Sequence, residues 1–241
     1  MEIIPIHISK EIEFGDDLSA LIANSKQIQE NDILVVAQKI ISKQEGRIIE
    51  LSSVTPSLLA QGISSQYQKN PHIVELILLE SKKIIRMNKG IIIVETKNGL
   101  ICANAGIDES NVKPGFATLL PKDSDASAEK LRKEILKTTG QNVSVIISDT
   151  FGRPFRMGQT NCAIGISGIK PILDYVGTTD SFGNVLRVTA IAIADEICSA
   201  AELVMKKTTK CPVIIIRNYD YTKESSSIRE LIRVENEDLF R

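Results

Sequence analysis

The segment VSVIISDTFGRPFR, residues 143–156, is the most informative part of the chain. Its first five residues are mainly apolar and predict a buried strand. A carboxylate and a hydroxyl, those of Asp149 and Thr150, follow at the end of this strand. Hard metal ions prefer carboxylate and hydroxyl oxygens, and arginine side chains bind phosphate through paired N–H donors. Arg153 and Arg156 follow where glycine and proline predict a loop. The segment therefore predicts a metal and phosphate site in a loop at a strand end.

Composition excludes several classes of protein. The 29 Lys and Arg residues nearly balance the 30 Asp and Glu residues, so no overall positive field would recruit nucleic acid or an anionic membrane. No stretch approaches the roughly 20 apolar residues that a membrane span needs, and Met1–Ile8 does not resemble a signal peptide. The four cysteines are far apart, which argues against a zinc site and a disulfide framework. We expect a cytoplasmic protein.

Strand and helix signals are interspersed along the chain and predict an α/β, mixed α+β fold. Turn signals at Asn88-Lys89-Gly90 and Lys97-Asn98-Gly99 divide Lys83–Cys102 into a β-meander. Because such hairpins argue against a purely parallel sheet, we expect mixed sheets with packed helices in one domain, residues 1–241, which could divide into two lobes. The predicted strands also include Glu2–His7, Asp32–Ala37 and Cys211–Arg217, and the predicted helices start at Gly15, Thr55-Pro56 and Asn70-Pro71 or span Ser124–Thr139, Ala190–Lys207 (the longest) and Ser225–Val234.

The predicted helix Ser124–Thr139 is amphipathic. We expect Leu131, Ile135 and Leu136 to share its buried face and Gly140 to end it.

A second segment with possible chemistry is CANAGIDESN, residues 102–111. Its small residues permit close approach of the backbone at the end of a predicted strand. Asp108 could share a metal ion with Asp149, and Asn111 could bind a base or a phosphate. The simpler alternative is an Asx turn that closes a loop.

Lysines in two further segments could bind phosphate. Lys43 lies in a polar stretch, where a lone lysine is usually only solvated. The segment MKKTTKC, residues 205–211, connects the predicted longest helix to the last buried strand and could wrap a nucleotide. Its three lysines could equally compensate the negative end of that helix, and Arg153 and Arg156 could be structural ion-pair partners. The residues alone leave these alternatives open.

Common nucleotide and hydrolase motifs are missing from the sequence. There is no G-x-x-x-x-G-K-[ST], no G-x-G-x-x-G after a strand and no G-x-S-x-G. A P-loop protein, a Rossmann dinucleotide site and an α/β-hydrolase are therefore disfavoured.

Several sequence blocks, taken in order, strongly resemble the coenzyme F420:L-glutamate ligase family. They run from about Gly15 to Arg217, and the chain ends soon after, as in the stand-alone form that lacks a reductase-like C-terminal extension. Several independent blocks that occur in the family's order identify the family far more specifically than any single block does. They are Ser42-Lys43 with Glu45-Gly46-Arg47, residues 102–111, residues 148–156, Ala163–Gly168, Asp174-Tyr175 with Gly177 and Asp180, and Ala194-Asp195-Glu196.

The resemblance implies a GTP-dependent amide ligase. Such an enzyme adds L-glutamate to the side-chain carboxylate of the deazaflavin coenzyme precursor, then adds a further glutamate through a γ-linkage, and releases GDP and phosphate. Because a carboxylate is a poor acylating agent, an acyl phosphate is the expected intermediate. The resemblance also implies a homodimer.

The resemblance further implies roles for individual residues. Asp108, Asp149 and Thr150 are the expected ligands of Mg²⁺ or Mn²⁺, and a requirement for a monovalent cation is left open. The residues themselves, and not the resemblance, lead us to expect that Arg153 and Arg156, which cluster around glycine and proline beside Asp149 and Thr150, bind phosphate or a substrate carboxylate during catalysis. The expected nucleotide contacts are Gln38, Lys39, Lys43, Asn111, Met205, Lys206, Lys207, Thr208, Thr209, Lys210 and Cys211.

Two residues depart from the family pattern. Lys206 and Asn218 stand where the family usually has glycine. Asparagine tolerates left-handed backbone geometry, whereas Lys206 adds bulk and charge where backbone should approach the nucleotide.

Two other functions stay open at this point. One is a metal-dependent nucleotide phosphohydrolase that uses Asp108, Asp149 and Thr150 without any ligation. The other is a non-enzymatic nucleotide-binding module whose acidic residues serve packing.

Overall fold

A mixed five-stranded sheet forms the centre of the computed structural model, which describes residues 1–239. The strands are β1 (Glu2–Ile6), β2 (Ile33–Ala37), β3 (Ile48–Glu50), β4 (Ser81–Asn88), β5 (Ile91–Thr96), β6 (Ile101–Ala103), β7 (Phe116–Thr118), β8 (Ser144–Arg153), β9 (Arg156–Ser167), β10 (Leu173–Asp174), β11 (Ala190–Ile191) and β12 (Val213–Arg217). The α-helices are α1 (Leu18–Ser25), α2 (Gln38–Gln44), α3 (Leu58–Tyr67), α4 (Pro71–Glu80), α5 (Ser124–Thr139) and α6 (Ile193–Met205).

The central sheet has the strand order β1-β12-β2-β8-β9 and is covered on both faces. Only the β2–β8 pair among its pairings is parallel. Alternate side chains of a strand point to opposite faces, so Leu34 and Val36 pack with α1 and α5, whereas Ile33 and Val35 pack with α6. This double burial explains why β2 is a continuous apolar run.

A second group of elements has its own hydrophobic cluster. Helices α3 and α4 pack there against β5, with Ile77, Ile92 and Val94 fully buried. The sheets β4-β5-β6 and β3-β7 belong to this region, and the first of them is the predicted meander. Mixed sheets, hairpins and packed helices confirm the predicted α/β, mixed α+β class.

Two helix boundaries test the capping predictions. The Asn70 side chain accepts a hydrogen bond from the His72 N–H at 2.9 Å, and Pro71 is the first residue of α4, as predicted. The start predicted at Thr55-Pro56 was wrong. Ser57 caps α3 instead, because its hydroxyl accepts the Ala60 N–H and donates to Glu75.

Helix α5 has the predicted bounds and ends at Gly140 with φ 72°. Leu136 was placed wrongly, because it is 43% exposed while Leu131 and Ile135 are buried. The four-residue spacing of Leu131 and Ile135 defines the buried stripe, and Leu136 lies about 100° around the helix from Ile135.

The two C-terminal helix predictions need correction. Helix α6 covers only Ile193–Met205, so α5 and not α6 is the longest helix among the described residues. The segment predicted as a helix from Ser225 to Val234 contains a short 3₁₀ turn at Ile228–Leu231, which a Ser227–Glu230 capping box starts.

The prediction of a loop at residues 148–156 was also wrong. Strand β8 continues to Arg153, turns at Pro154-Phe155 and returns as β9, which supplies antiparallel hydrogen bonds along its length. The parallel partner β2 ends at Ala37, opposite Ser148. Asp149 is therefore the first residue of β8 beyond the carboxyl end of β2.

Helix α5 touches the backbone of β9 at Gly165. A Cβ atom on this glycine would lie 2.4 Å from the backbone of Ser124, at the start of α5. A hydrogen bond lies beside this contact, because the carboxylate of Asp125 accepts the Ile166 N–H at 2.8 Å. Only glycine permits this approach.

Candidate active site

Three chain segments meet at the carboxyl end of β2. Helix α2 starts there with Gln38, and β8 passes beside it with Asp149 and Thr150. The segment after α6 arrives at the same point, where the Ala37 N–H donates to the Pro212 carbonyl at 2.8 Å. The predicted site residues of the early, middle and late parts of the sequence are thus neighbours.

Asp108 reaches this region from the second hydrophobic cluster. The three residues Asn104, Ala105 and Gly106 all have left-handed backbone, with φ of 53°, 54° and 69°, and they reverse the chain after β6. Asp108 then pairs with Thr118 through two backbone hydrogen bonds of 3.1 and 2.9 Å. The predicted Asx turn is present as well, because the Ser110 N–H donates to Asp108 Oδ1 at 2.7 Å.

Lys39 connects α2 with Asp108. Its ammonium lies 2.7 Å from Asp108 Oδ2 and also donates to the Ser110 hydroxyl. Burial acts to raise the pKa of Asp108, but the hydrogen bonds from Lys39 and Ser110 and the charge of Lys39 outweigh it and hold that pKa below its ordinary value. Asp108 is therefore a carboxylate with a cationic partner.

Asp149 has the opposite electrostatic character. The pKa of its carboxyl is raised from 3.8 to about 6, mainly by burial and also by the negative charge of Asp108. The Thr150 backbone N–H and the charges of Lys39 and Lys207 act against this rise. Two carboxylates close enough to influence each other form a place where a cation is electrostatically favoured.

Thr150 is hydrogen-bonded on both sides. Its hydroxyl donates to Asn161 Oδ1 at 2.7 Å and accepts from the Lys207 ammonium at 2.6 Å. Asn161 lies directly opposite Thr150 in the β8–β9 register. The prediction from sequence missed Asn161, because its place opposite Thr150 follows from the β8–β9 pairing, which becomes visible only in the structure.

Lys43 lies on α2, one turn after Lys39. Its ammonium donates to the Asn111 carbonyl at 2.8 Å and forms an ion pair with Glu11. Asn111 has left-handed backbone, φ 56°. Glu11 was also missed, and no sequence signal marked it, because a glutamate in a polar stretch is normally solvated.

Other predicted site residues are structural or lie farther out. The buried Gln38 amide donates to the Ser42 hydroxyl and the Leu119 carbonyl, and Met205 and Cys211 belong to the core on the α6 face. Arg153, near the hairpin tip, donates to the Met157 carbonyl at 2.9 Å. The exposed members of these segments are Arg156, Lys206, Lys207, Thr208 and Lys210. Thr209 is partly buried, and its hydroxyl donates to the Met205 carbonyl.

A family model described as F420-0:Gamma-glutamyl ligase matches residues 7–218. The chain belongs to this family. The coenzyme F420:L-glutamate ligase of Methanocaldococcus jannaschii is 46% identical, with 93% of this chain and 90% of the relative covered. Ligases of the same name are 43% identical in Methanothermobacter thermautotrophicus, with 94% and 93% covered, and 40% identical in Methanopyrus kandleri, with 100% and 98% covered.

Both departures from the family's glycines have left-handed backbone. Asn218 has φ 56°, which asparagine tolerates. Lys206, the residue that ends α6, has φ 53° and ψ −175°, a region that is essentially restricted to glycine. Positions 206 and 218 of this chain therefore have backbone conformations that favour glycine, and Lys206 is strained.

The donor atoms of the site fit a hard divalent cation. No group of three or more His, Cys, Asp and Glu residues that could hold a metal occurs within residues 1–239. Two carboxylates and a hydroxyl, from Asp108, Asp149 and Thr150, nonetheless match Mg²⁺ or Mn²⁺, which are commonly held by one or two carboxylates together with substrate phosphates and water. The raised pKa of Asp149 fits as well, because a cation would stabilise its charged form.

Within the described part of the chain, no helix has the length and apolar character that a membrane crossing requires.

Proposed function

We propose that the chain is a GTP-dependent ligase that adds L-glutamate successively to the side-chain carboxylate of the deazaflavin precursor of coenzyme F420. Membership in the F420-0:gamma-glutamyl ligase family makes it a ligase of coenzyme F420 biosynthesis. The observation that supports the finer proposal is the convergence of Asp108, Asp149 and Thr150 with Lys39 and Lys207 at the carboxyl end of β2.

The proposed chemistry has two steps. A carboxylate oxygen of the precursor attacks the γ-phosphorus of GTP, the bond to the β-phosphate oxygen breaks, and GDP leaves. The glutamate amine then attacks the acyl carbon, loses a proton and displaces phosphate. The first step replaces a poor leaving group by a good one, and the products are an amide, GDP and phosphate.

The residues of the site would act mainly by positioning and charge. A Mg²⁺ or Mn²⁺ ion held by Asp108, Asp149 and Thr150 would offset the charge on the transferring phosphoryl group. The ammonium groups of Lys39 and Lys43 would face the nucleotide phosphates, as would those of the 205–211 segment.

Other predicted contacts take supporting places in this proposal. The buried Gln38, Met205 and Cys211 would hold the nucleotide-binding segments in position. Arg153 and Arg156, at the hairpin tip, would bind the carboxylate of glutamate or of the precursor.

The proposed homodimer has support in exposed apolar side chains. Met157 at the hairpin tip is 97% exposed and Phe182 in the 174–190 segment is 89% exposed. Exposed apolar side chains that form a contiguous patch are typical of interfaces, and we propose that Met157 and Phe182 belong to one such patch. The double variant Met157→Ser/Phe182→Ser should elute as a monomer in size-exclusion chromatography with light scattering, whereas Leu59→Ser, which changes an exposed residue of α3, should elute like the unchanged protein. A monomer mass for the unchanged protein would contradict the dimer, and a dimer mass for the double variant would contradict this interface.

Mass spectrometry tests the ligase directly. The protein is incubated with the deazaflavin precursor, L-glutamate, GTP and Mn²⁺, and each component is omitted in turn. We expect products heavier by one or more glutamyl groups only in the complete mixture. Asp149→Asn should give no heavier product, whereas Asp220→Asn, an exposed residue beyond the opposite end of β12, should match the unchanged protein. Loss of GTP with no heavier product would instead indicate a phosphohydrolase.

A further inference from the structure

Asn161 is a buried polar residue to which the proposed chemistry gives no role. It lies opposite Thr150 in the β8–β9 register and is only 3% exposed. A buried side-chain amide costs free energy unless its polar atoms are hydrogen-bonded. The Oδ1 atom of Asn161 meets this requirement by accepting the Thr150 hydroxyl at 2.7 Å. The residue is therefore held directly behind one of the expected metal ligands.

The oxygen of the Asn161 amide, and not its nitrogen, faces Thr150. The Lys207 ammonium lies 3.4 Å from the same atom. An ammonium has only donors, so an amide NH₂ group in that place would face it donor to donor, whereas an oxygen accepts from both neighbours. Thr150 therefore uses its single hydroxyl hydrogen as the donor to Asn161.

A hydroxyl whose hydrogen is fixed in this way presents only lone pairs to its other neighbours. One lone pair of Thr150 Oγ1 accepts the Lys207 ammonium at 2.6 Å, which shows the side from which a cation approaches. Because the Lys207 side chain is 59% exposed, its ammonium can move into solvent when a metal ion takes the same lone pair. A freely rotating hydroxyl would instead turn its hydrogen toward the ion in some of its rotamers.

The backbone of Asn161 is fixed from two sides. In the sheet it pairs with Thr150 of β8, and on the helix side its carbonyl accepts the hydroxyl of Ser199, from α6, at 3.0 Å. Groups that hydrogen-bond to a metal ligand orient that ligand, and their loss commonly lowers metal affinity by about 10–100-fold. The position of Asn161 fits such a group.

We propose that Asn161 is a positioning residue for the divalent ion. Its amide oxygen binds the hydrogen of the Thr150 hydroxyl and so directs a lone pair of that hydroxyl at the ion, without contact between Asn161 and the ion. The proposal rests on the proposed function in one respect, which is the assignment of Thr150 as a metal ligand.

Mn²⁺ affinity tests the proposal without any turnover. The free ion is followed by its electron paramagnetic resonance signal during titration, with and without GDP. Asn161→Leu removes the acceptor at similar volume and should raise the Kd for Mn²⁺ by about 10–100-fold. Asn161→Asp keeps an acceptor oxygen and should bind Mn²⁺ at least as tightly as the unchanged protein. The control Asn98→Leu removes a half-buried amide that donates to the Pro121 carbonyl at 3.2 Å, and it should leave the Kd unchanged.

Circular dichroism and urea unfolding identify the variants that fold, and Asn161→Ala replaces Asn161→Leu if the leucine variant does not. A folded variant without the acceptor that binds Mn²⁺ like the unchanged protein would overturn the proposal. So would an Asn161→Asp variant that binds Mn²⁺ as weakly as Asn161→Leu, because the acceptor oxygen would then not be the cause.

Thr150→Val separates this proposal from the proposed function. It removes the hydroxyl at the same shape and should weaken Mn²⁺ binding, and Asn161→Leu added to it should have no further effect, because both changes act through one lone pair. Weaker binding in Thr150→Val without weaker binding in Asn161→Leu would overturn this proposal alone. Unchanged binding in Thr150→Val would remove Thr150 from the metal ligands of the proposed function and overturn this proposal as well.

Discussion

Replacing Asp149 by Asn should stabilise the metal-free protein at neutral pH and at the same time abolish turnover. Burial raises the pKa of this carboxyl from 3.8 to about 6, with a contribution from the charge of Asp108. The folded protein therefore binds the Asp149 proton more tightly than the unfolded chain does. The resulting stabilisation is fully present below about pH 4 and is lost as the pH rises through 6.

The size of the effect follows from the two pKa values. One pKa unit corresponds to about 1.36 kcal/mol, so the difference between 3.8 and about 6 sets an upper limit of about 3 kcal/mol at pH 8. Because Asp149 is only partly buried, solvent screening reduces the expected gain in unfolding free energy to about 1–2 kcal/mol. Asparagine has nearly the same shape and no charge, so it removes the cost of a desolvated carboxylate.

Urea unfolding in EDTA at several pH values measures this gain. We expect Asp149→Asn to exceed the unchanged protein at pH 8 and to match it near pH 4. With Mn²⁺ the order should reverse, because only the unchanged protein gains binding free energy. Asp16→Asn is the control of opposite sign, since a hydrogen bond from Lys10 lowers the pKa of Asp16 and its replacement should reduce stability at pH 8. A metal-free Asp149→Asn no more stable than the unchanged protein at pH 8 would refute the reasoning.

Three further changes give measurable outcomes. Lys43→Ala should raise the KM for GTP by about tenfold, because a charge-assisted contact to phosphate would be lost; initial rates that show unchanged GTP dependence would remove this residue from the site. Lys206→Gly should raise the unfolding free energy by on the order of 1 kcal/mol, because relief of backbone strain exceeds the entropic cost of glycine. Asp32→Asn should lower the unfolding free energy by about 3 kcal/mol in urea titrations, because Asp32 is 1% exposed and forms a two-pronged ion pair with Arg217 at 2.8 and 2.6 Å. The solvent-exposed ion pair between Lys130 and Glu134 is the control, and Glu134→Gln should change the unfolding free energy by less than about 0.5 kcal/mol. Equal effects of Asp32→Asn and Glu134→Gln would contradict the ion-pair argument.

Sequence signals were sufficient to predict those elements that are determined by residues close together in the chain. Helix α5 and the start of α4 were predicted because a 3.6-residue repeat, an N-cap and a C-terminal glycine act within a few residues. The β8–β9 hairpin was missed for the converse reason. Gly152 and Pro154 suggested a loop, and the residue that makes the turn is Phe155, whose φ of 59° no rule for its residue type predicts.

The candidate site shows the same division. Asp108, Asp149 and Thr150 could be selected from their residue types and from the resemblance to a family. The contact between Lys207 and Thr150 could not be predicted, because these residues are 57 positions apart and meet only through the path of α6 beside the central sheet. Asn161 requires knowledge of the β8–β9 register, which no sequence pattern in this chain specifies.

The contact between Gly165 and Ser124 bears on how relatives of this protein should be recognised. Gly165 belongs to one of the sequence blocks that carry the family resemblance, yet its role is to let α5 lie against β9. Selection for folding alone would retain such a block in a descendant that had lost catalysis. A chain with this glycine but without Asp108 and Asp149 would still be assigned to the family by its packing residues. Under the proposed function, active and inactive descendants should therefore be distinguished at Asp108 and Asp149, and not by overall similarity.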